Sequence, residues 1–309
     1  MKSIALIMPD SSYAPEIPAL KSYIEKRTDI AADILSFEDF IDNQFKYNLV
    51  YIKMGFIAFW DRKIKIPQIH DYTSLSTGGF ARGKDIIKLF CSKKPILRSF
   101  LNKDVSKRLR FRDNIPYIYR DMGADEFFFN KEEEKLEKKY DYCYVGSITD
   151  NRKVDRILER FIVSESDICL VGKVELSNYE KYKRCDNIHF LGLKTRLETA
   201  EIVKSSKVGF NFMPDIYPWN IQTSTKVIEY LSSNLTVVSN RYKWINSFTR
   251  LHKDSNVAFY EDINTFDPDE FINGSDFFDK SIVDYSFLAW DSVFDDSNIL
   301  YYLNECVKE

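Results

Sequence analysis

Residues 207–240 read KVGFNFMPDIYPWNIQTSTKVIEYLSSNLTVVSN, and this stretch decides the fold that the sequence predicts. Two short apolar runs, 208–212 and 235–238, have the composition of buried strands. Between them lie a loop with proline and asparagine and a helical segment that begins at the hydroxyl-rich triplet 223–225. Strand, loop, helix and strand in this order form the unit of a parallel sheet.

The helical segment has two faces. At about 100° per residue, one face carries an apolar stripe of Val227, Ile228 and Leu231. The opposite face carries Lys226, Glu229 and Tyr230, and we expect that face not to pack on the sheet. A ligand should therefore be able to reach both Lys226 and Glu229.

The start of this helix has the chemistry of an anion site. Thr223, Ser224 and Thr225 lie where a helix has unpaired N–H groups and a partial positive charge, and Lys226 adds a full charge. Glu229, one turn deeper, suits ribose hydroxyls, because an ionised carboxylate accepts hydrogen bonds. These groups predict a nucleoside diphosphate. An N-capped helix with a solvated lysine–glutamate pair is the alternative that stays open.

A second loop of the same kind follows the strand-like run 142–145. It contains Gly146 and Ser147, and Arg152 and Lys153 then enter the N-terminus of the next helix. Two cations and helix-end amide groups again favour an anion, although a charged loop facing solvent is the alternative. Because both loops follow strands of one predicted parallel sheet, we expect them to meet the same diphosphate.

Strand-like runs alternate with helical patterns through most of the chain, which predicts an α/β fold. The remaining runs are 4–8, 33–35, 49–52, 67–69 and 115–119 in the first half, and 168–171, 188–191 and 257–260 in the second. The segment 130–139, NKEEEKLEKK, is the most highly charged and is expected to link two domains.

Composition places the chain among globular proteins. Its 309 residues suffice for two cores, and 44% hydrophobic with 15% aromatic residues argues against disorder. Five scattered cysteines without C-x-x-C, and three histidines, predict reduced thiols and no structural zinc. The apolar run at the start is too short for a signal peptide, and none approaches a membrane span, so a cytoplasmic location is predicted.

Charge is distributed unevenly. Residues 84–120 contain eleven Lys/Arg and three Asp, a balance of +8, whereas residues 254–309 contain fourteen Asp/Glu and two Lys, a balance of −12. The basic segment, with its interleaved apolar residues, is either a membrane-surface patch for anionic lipid or an amphipathic core element with snorkelling cations. No nucleic-acid-binding module accompanies it, so nucleic acid is not the expected partner.

The motif S-x-K-x-x-E-Y-L at 224–231 resembles the donor-site helix of GT-B glycosyltransferases, nearest to family 4-like bacterial polysaccharide transferases and the CgeB-like group. YCYVGS (142–147), DICLVG (167–172), NIHFLG (187–192) and RDMGADEFFF (120–129) extend the resemblance. It implies an α/β GT-B architecture: two Rossmann-like domains facing across a cleft, with a C-terminal helix crossing back to the first domain. The expected domains are 1–132 for the acceptor and 140–285 for the nucleotide sugar, followed by a helix, 286–309.

The resemblance also implies site residues and departures from the family pattern. Basic residues like Arg152 and Lys153 hold the donor diphosphate in place of a metal, so neither metal nor cofactor is expected. Relatives carry Glu eight residues before the helix Glu, where this chain has Ile221, so Asn220 or Gln222 is expected to replace that sugar contact.

His70 and Asp71, at the end of a strand-like run, are the candidate catalytic residues. His70 would bond the sugar or acceptor, and Asp71 would orient it or act as a base. The alternative is a His–Asp turn without a catalytic role.

The predicted function is transfer of a hexosyl group from a nucleotide sugar such as a UDP-sugar to a glycan or lipid-linked acceptor. Cell-surface polysaccharide synthesis at the inner face of the plasma membrane is the expected setting. A non-catalytic GT-B-like protein of a surface-assembly complex is the competing interpretation. It is favoured by Ile221 and by Ser147, which stands after Gly146 where the resembled family often has Arg.

Overall fold

The structure, a computed structural model, describes residues 2–9, 14–54, 60–77, 80–129, 137–149, 154–274 and 283–307. The chain divides into two compact units. The first comprises Met1–Gly123, Ile221–Thr223 and Trp290–Glu309, and the second comprises Ala124–Asn220 and Ser224–Ala289.

The described part of the first unit contains a six-stranded parallel sheet with the order β2-β1-β3-β4-β5-β6. Its strands are β1 (Ser3–Ile7), β2 (Ala31–Leu35), β3 (Leu49–Lys53), β4 (Gln68–Tyr72), β5 (Leu97–Phe100) and β6 (Tyr117–Tyr119). Before the chain enters the second unit, the first unit contains the helices α1 (Glu16–Arg27), α2 (Phe37–Asn43), α3 (Ala81–Cys91) and α4 (Lys103–Leu109).

The described part of the second unit contains a second six-stranded parallel sheet, ordered β12-β11-β10-β7-β8-β9. Its strands are β7 (Tyr140–Val145), β8 (Ile168–Val171), β9 (Ile188–Gly192), β10 (Ser206–Asn211), β11 (Thr236–Ser239) and β12 (Val257–Phe259). Its helices are α5 (Asp155–Phe161), α6 (Leu176–Tyr182), α7 (Arg196–Lys204), α8 (Thr225–Ser232), α9 (Lys243–Leu251) and α10 (Pro268–Asn273).

The last two helices, α11 (Trp290–Ser297) and α12 (Ile299–Cys306), belong to the first unit, whereas the resemblance implies a single returning helix, 286–309. There α11 packs on α1, with the rings of Tyr23 and Phe294 5.0 Å apart, and Arg27 pairs with Asp291 at 3.0 Å. No helix among the described residues is long and apolar enough to cross a membrane.

The α/β alternation read from the sequence is confirmed, with one strand missed. β5 lies inside the basic segment 84–120, for which the sequence predicts either a membrane-surface patch or an amphipathic core helix with snorkelling cations. Leu97, Arg98, Ser99 and Phe100 are all buried in the sheet, although one of them carries a charge. The guanidinium of Arg98 is compatible with burial because Asp113 accepts two hydrogen bonds from it, at 2.5 and 2.8 Å.

Gly209 of β10 makes room for a side chain of helix α8 against the second sheet. A Cβ on Gly209 would lie 2.3 Å from the ring of Tyr230, so the glycine leaves the space that this ring fills. The backbone N–H of Val145 donates to the Tyr230 hydroxyl at 2.8 Å, which ties α8 to β7 as well. The expectation that Tyr230 lies on a face away from the sheet is therefore wrong, and α8 is buried on every side along residues 226–232.

Candidate functional site

The candidate site lies in the second unit, where the strand order reverses. β7 and β10 are parallel neighbours, while β8 and β9 continue to one side and β11 and β12 to the other. Ligands of open α/β sheets bind at the carboxyl ends of strands beside such a reversal. The site is therefore built from the loops that follow β7 and β10.

Glycines end three adjacent strands at this edge. Gly146, Gly172 and Gly192 have φ angles of +144°, +143° and +71°. The first two pack tightly, since a Cβ on Gly172 would lie 2.2 Å from the carbonyl oxygen of Gly146. Side chains would strain these turns, so the edge presents bare backbone that a ligand can approach closely.

Lys226 reaches from α8 to the end of β7. Its Nζ lies 4.2 Å from the centroid of the Tyr144 ring and 3.6 Å from the position of a Cβ on Gly146. Among the described residues, no carboxylate forms an ion pair with this ammonium group. The structure thus brings together Lys226 and Gly146, which the sequence analysis predicted to meet at one sheet edge.

The N-terminus of α8 is left without a side-chain cap among the described residues. Ser224, the residue before the helix, instead donates from Oγ to Asn211 Oδ1 at 3.1 Å, and Thr223 donates to Asp121. Thr225 is half-buried at the first helical position. The hydroxyl cluster therefore stabilises the loop, while the first two N–H groups of the helix, those of Thr225 and Lys226, remain available to an anion.

Glu229 lies one turn deeper and is almost fully buried, with 3% of the residue exposed. Its Oε1 is 3.7 Å from Nη1 of Arg196, which also pairs with Asp125. Burial raises the pKa of Glu229 to about 7 and Asp125 adds to the rise, while Arg196 and Lys226 oppose it. A solvated lysine–glutamate pair, the alternative left open by the sequence, is excluded because both residues are buried.

Arg196 was not found by the sequence analysis. It is the first residue of α7, and its guanidinium lies 5.9 Å from the ring centroid of Phe128. A signal was present, since an arginine that begins a helix after a glycine-ended strand lies at the carboxyl edge of the sheet. Its acidic partners were not visible because they are distant in the sequence.

The remaining residues that the sequence predicts for the nucleotide-sugar site are Arg152, Lys153, Ser147 and Asn220. Arg152 and Lys153 lie outside the described residues. Ser147 is half-buried beside Gly146, and Asn220 donates from Nδ2 to Asp215 at 2.9 Å.

Ile221 belongs to the apolar core of the first unit. Its carbonyl accepts a hydrogen bond from Asn102 at 3.0 Å. The apolar side chain of Ile221 is packed in this core and cannot form a hydrogen bond with a sugar.

The proposed catalytic roles of His70 and Asp71 do not agree with the structure. Both residues lie within β4 and are completely buried. His70 contacts Gln68 Oε1 at 2.9 Å, and burial lowers its pKa to about 3, with Arg98 and Lys93 contributing. A buried imidazole of this kind does not contact substrate.

Asp71 does not orient His70, because adjacent residues of a strand point to opposite faces of the sheet. It accepts a hydrogen bond from Nη2 of Arg120 at 2.5 Å, and both side chains are fully buried. The pair is a structural ion pair of the first unit.

The described residues contain no group of three or more His, Cys, Asp or Glu side chains that could hold a metal ion. The D-x-D sequence at 267–269 begins a helix: Asp267 caps α10 and Pro268 is its first residue. Asp269 accepts hydrogen bonds from Ser164 and Ser166, so its carboxylate is already occupied.

Comparison with solved structures shows the fold to which this site belongs. HepE of Anabaena, in complex with UDP and glucose, matches with a TM-score of 0.73 at 8% identity, over 99% of this chain and 100% of that chain. Sucrose-phosphate synthase of Thermosynechococcus elongatus matches at 0.70 and 11%, over 99% of each chain. A protein assigned as a UDP-N-acetylglucosamine 2-epimerase of Listeria monocytogenes matches at 0.59 and 10%, over 100% and 97%.

The chain has the GT-B fold that these proteins share. No protein-family model and no curated protein sequence matches it.

We predict that Glu229 makes stability depend on pH. Its folded-state pKa of about 7 exceeds the ordinary 4.5, so the folded protein keeps a proton that the unfolded chain releases. The bound proton contributes fully to the free energy of unfolding below about pH 4.5. As the pH rises through 7, this contribution of about 3 kcal/mol is lost. Glu229→Gln should remove this loss.

The measurement is urea unfolding at pH 5.5 and pH 8. The difference in free energy of unfolding between Glu229→Gln and the native chain should grow with pH in favour of the variant. Exposed Glu201→Gln on α7 is the control and should leave the profile unchanged. A constant difference at both pH values would show that Glu229 is ionised throughout.

Proposed function

From its GT-B fold, we propose that this chain is a glycosyltransferase. It would move a hexosyl group from a nucleoside diphosphate sugar to a glycan or lipid-linked acceptor in bacterial cell-surface polysaccharide synthesis. The observation that carries the proposal is the position of Lys226 Nζ beside Gly146, at the uncapped N-terminus of α8. A neighbour of the same fold holds UDP and glucose, which supports a UDP-sugar as donor.

The donor site would work by neutralising charge. The diphosphate that leaves during transfer gains negative charge, and Lys226 with the first N–H groups of α8 lies where that charge would develop. Arg152 and Lys153, which follow β7 in the sequence, would add two cations. These groups would supply the stabilisation that a divalent cation supplies elsewhere, so we expect no metal requirement.

Glu229 would accept hydrogen bonds from the ribose hydroxyls. Such a role requires the ionised carboxylate, and Arg196 is the cation that favours this form. Bound ribose would replace part of the solvation that burial removes from Glu229. Arg196 would act through Glu229, as a positioning residue.

Two other functions are compatible with the same fold. A non-catalytic GT-B-like protein of a surface-assembly complex is favoured by Ile221, which stands in the core where relatives carry an acid. An epimerase is suggested by the Listeria neighbour, since it would bind the same donor without an acceptor. These alternatives differ in their products.

The deciding experiment is a screen of UDP-, GDP-, ADP-, dTDP- and CMP-sugars by thermal protection, followed by product analysis in the presence of a panel of glycan and lipid-linked acceptors, with and without EDTA. Transfer releases the nucleotide, epimerisation changes the sugar on an intact donor, and a binding protein does neither. We expect release of nucleoside diphosphate that persists in excess EDTA. Activity lost in EDTA and restored by Mg²⁺ would contradict the metal-free mechanism, and protection without turnover would favour the non-catalytic alternative.

We predict that Lys226 and Lys153 bind the diphosphate and not the nucleoside. A charge-assisted hydrogen bond is worth roughly 1.5–3 kcal/mol, so each substitution to alanine should weaken UDP binding about 10- to 150-fold. Uridine binding should change little. Because both side chains would meet one ligand, their effects in a double-mutant cycle should couple.

Calorimetry with UDP and uridine in parallel measures these effects. Lys207→Ala is the matched control, since this lysine lies near the other end of β10 and pairs with Asp141 at 2.7 Å. A lysine whose loss weakens UDP and uridine equally, or neither, does not contact the diphosphate.

We further propose that α3 holds the protein against an anionic membrane surface. This helix buries two of its four charged residues, Asp85 and Lys88, and exposes Ile86 and Phe90 to 52% and 79%. Phe80, just before it, is 76% exposed. An apolar face flanked by cations such as Arg82 and Lys94 complements acyl chains below anionic headgroups.

Sedimentation with phosphatidylglycerol vesicles tests this contact against phosphatidylcholine vesicles. We expect binding to phosphatidylglycerol vesicles that weakens as salt is added. Phe90→Ser should weaken this binding roughly tenfold, because the variant has no aromatic ring to bury in the membrane. Phe45→Ser removes an equally exposed ring elsewhere in the first unit and should bind like the native chain. Equal binding by Phe90→Ser and Phe45→Ser would show that α3 does not contact the membrane.

A further inference from the structure

A cavity in the first unit is lined by residues that the donor site does not use. It has a volume of about 640 Å³ and lies at the outer edge of the first sheet, between β5, β6, α4, the loop 110–116 and Tyr302 of α12. Neither the donor site nor the membrane contact uses it.

Aromatic rings form one side of this cavity. The ring of Phe100 lies 6.1 Å from Phe111 and 6.0 Å from Tyr117, centroid to centroid. Phe100 is buried in the core, whereas Tyr117 is 55% exposed. The rings thus form a continuous surface from the core to the mouth of the cavity, and the exposed Tyr117 offers an apolar platform to a ligand.

Polar groups form the other side. Arg98, whose side chain is 95% buried, stacks on Phe111 with its guanidinium carbon 3.8 Å from the ring centroid. Both of its Nη atoms donate to Asp113. Among the described residues, the Nε atom has no hydrogen-bond partner, and the Tyr72 hydroxyl lies beside the guanidinium group. Asn114 adds an exposed amide at the mouth.

The charge of the cavity limits its ligands. Arg98 and Asp113 neutralise each other, and the hydrogen bonds from Arg98 hold the pKa of Asp113 below its ordinary value, so this carboxyl stays an acceptor. Arg110 is the remaining cation of the lining and is exposed. A phosphate-rich ligand would have to compete with Asp113, which disfavours nucleotides.

We infer that this cavity binds a neutral saccharide residue, stacked on Tyr117 and bonded to the Arg98–Asp113 pair and Asn114. A pyranose ring presents an apolar face of C–H groups and an equator of hydroxyls that both donate and accept. An aromatic platform beside an adjacent donor and acceptor matches that combination. The site is separate from the donor site and would hold part of a glycan chain without taking part in its chemistry.

Saturation-transfer NMR with the neutral methyl glycosides of glucose, galactose and N-acetylglucosamine tests this inference. We expect transfer from the native protein to at least one glycoside, and about tenfold weaker binding in Tyr117→Ala and in Asn114→Ala. Both side chains are exposed, so the fold should tolerate their loss. Tyr179→Ala, which removes a 42% exposed tyrosine of α6 in the second unit, is the control.

Absence of transfer from the native protein to all three glycosides would overturn the inference. So would equal transfer from Tyr117→Ala and the native protein, or displacement of the glycoside by inorganic phosphate. UDP binding, measured on the same samples, should be unchanged in Tyr117→Ala. Failure to bind UDP in every sample would reject the proposed donor site and leave the saccharide result standing.

Discussion

Parallel pairing of β7 with β10 is the constraint on which the candidate donor site depends. The two strands are far apart in the sequence, and their pairing brings the loops that follow them to one edge of the sheet. Gly209 admits the ring of Tyr230, and Val145 donates to its hydroxyl, so α8 is held against both strands. Lys226, four residues earlier on α8, is thereby placed over the ring of Tyr144.

Buried charge has different meanings in the two units. Arg120 and Asp71 are completely buried and bonded to each other, and such a pair adds little stability over apolar residues of the same volume. Glu229 is also buried, but Arg196 approaches it only to 3.7 Å, and its pKa remains raised. A carboxyl group kept at this cost beside a helix N-terminus is typical of a functional site.

Local sequence patterns predicted those features that depend on neighbours in the chain. Alternating runs gave the strands, and the spacing of Lys226 and Glu229 placed both on one helix near the sheet edge. Arg196 escaped because its partner Asp125 is 71 residues away. His70 was misread because the strand-like run ended one residue before it, whereas β4 continues to Tyr72 and buries polar side chains that a surface loop would expose.

Ile221 affects how the proposed donor site could select its sugar. Lys226, the N–H groups of α8 and Glu229 would all address the diphosphate and the ribose, which donors with one base have in common. Ile221, where the resemblance to GT-B glycosyltransferases implies an acid for the sugar, is an apolar core residue. Strong discrimination between sugars requires buried polar groups that the wrong hydroxyl pattern leaves unpaired. Under the proposed function, binding energy would therefore come mainly from the nucleotide, and selection of the sugar would fall to residues beyond this cluster.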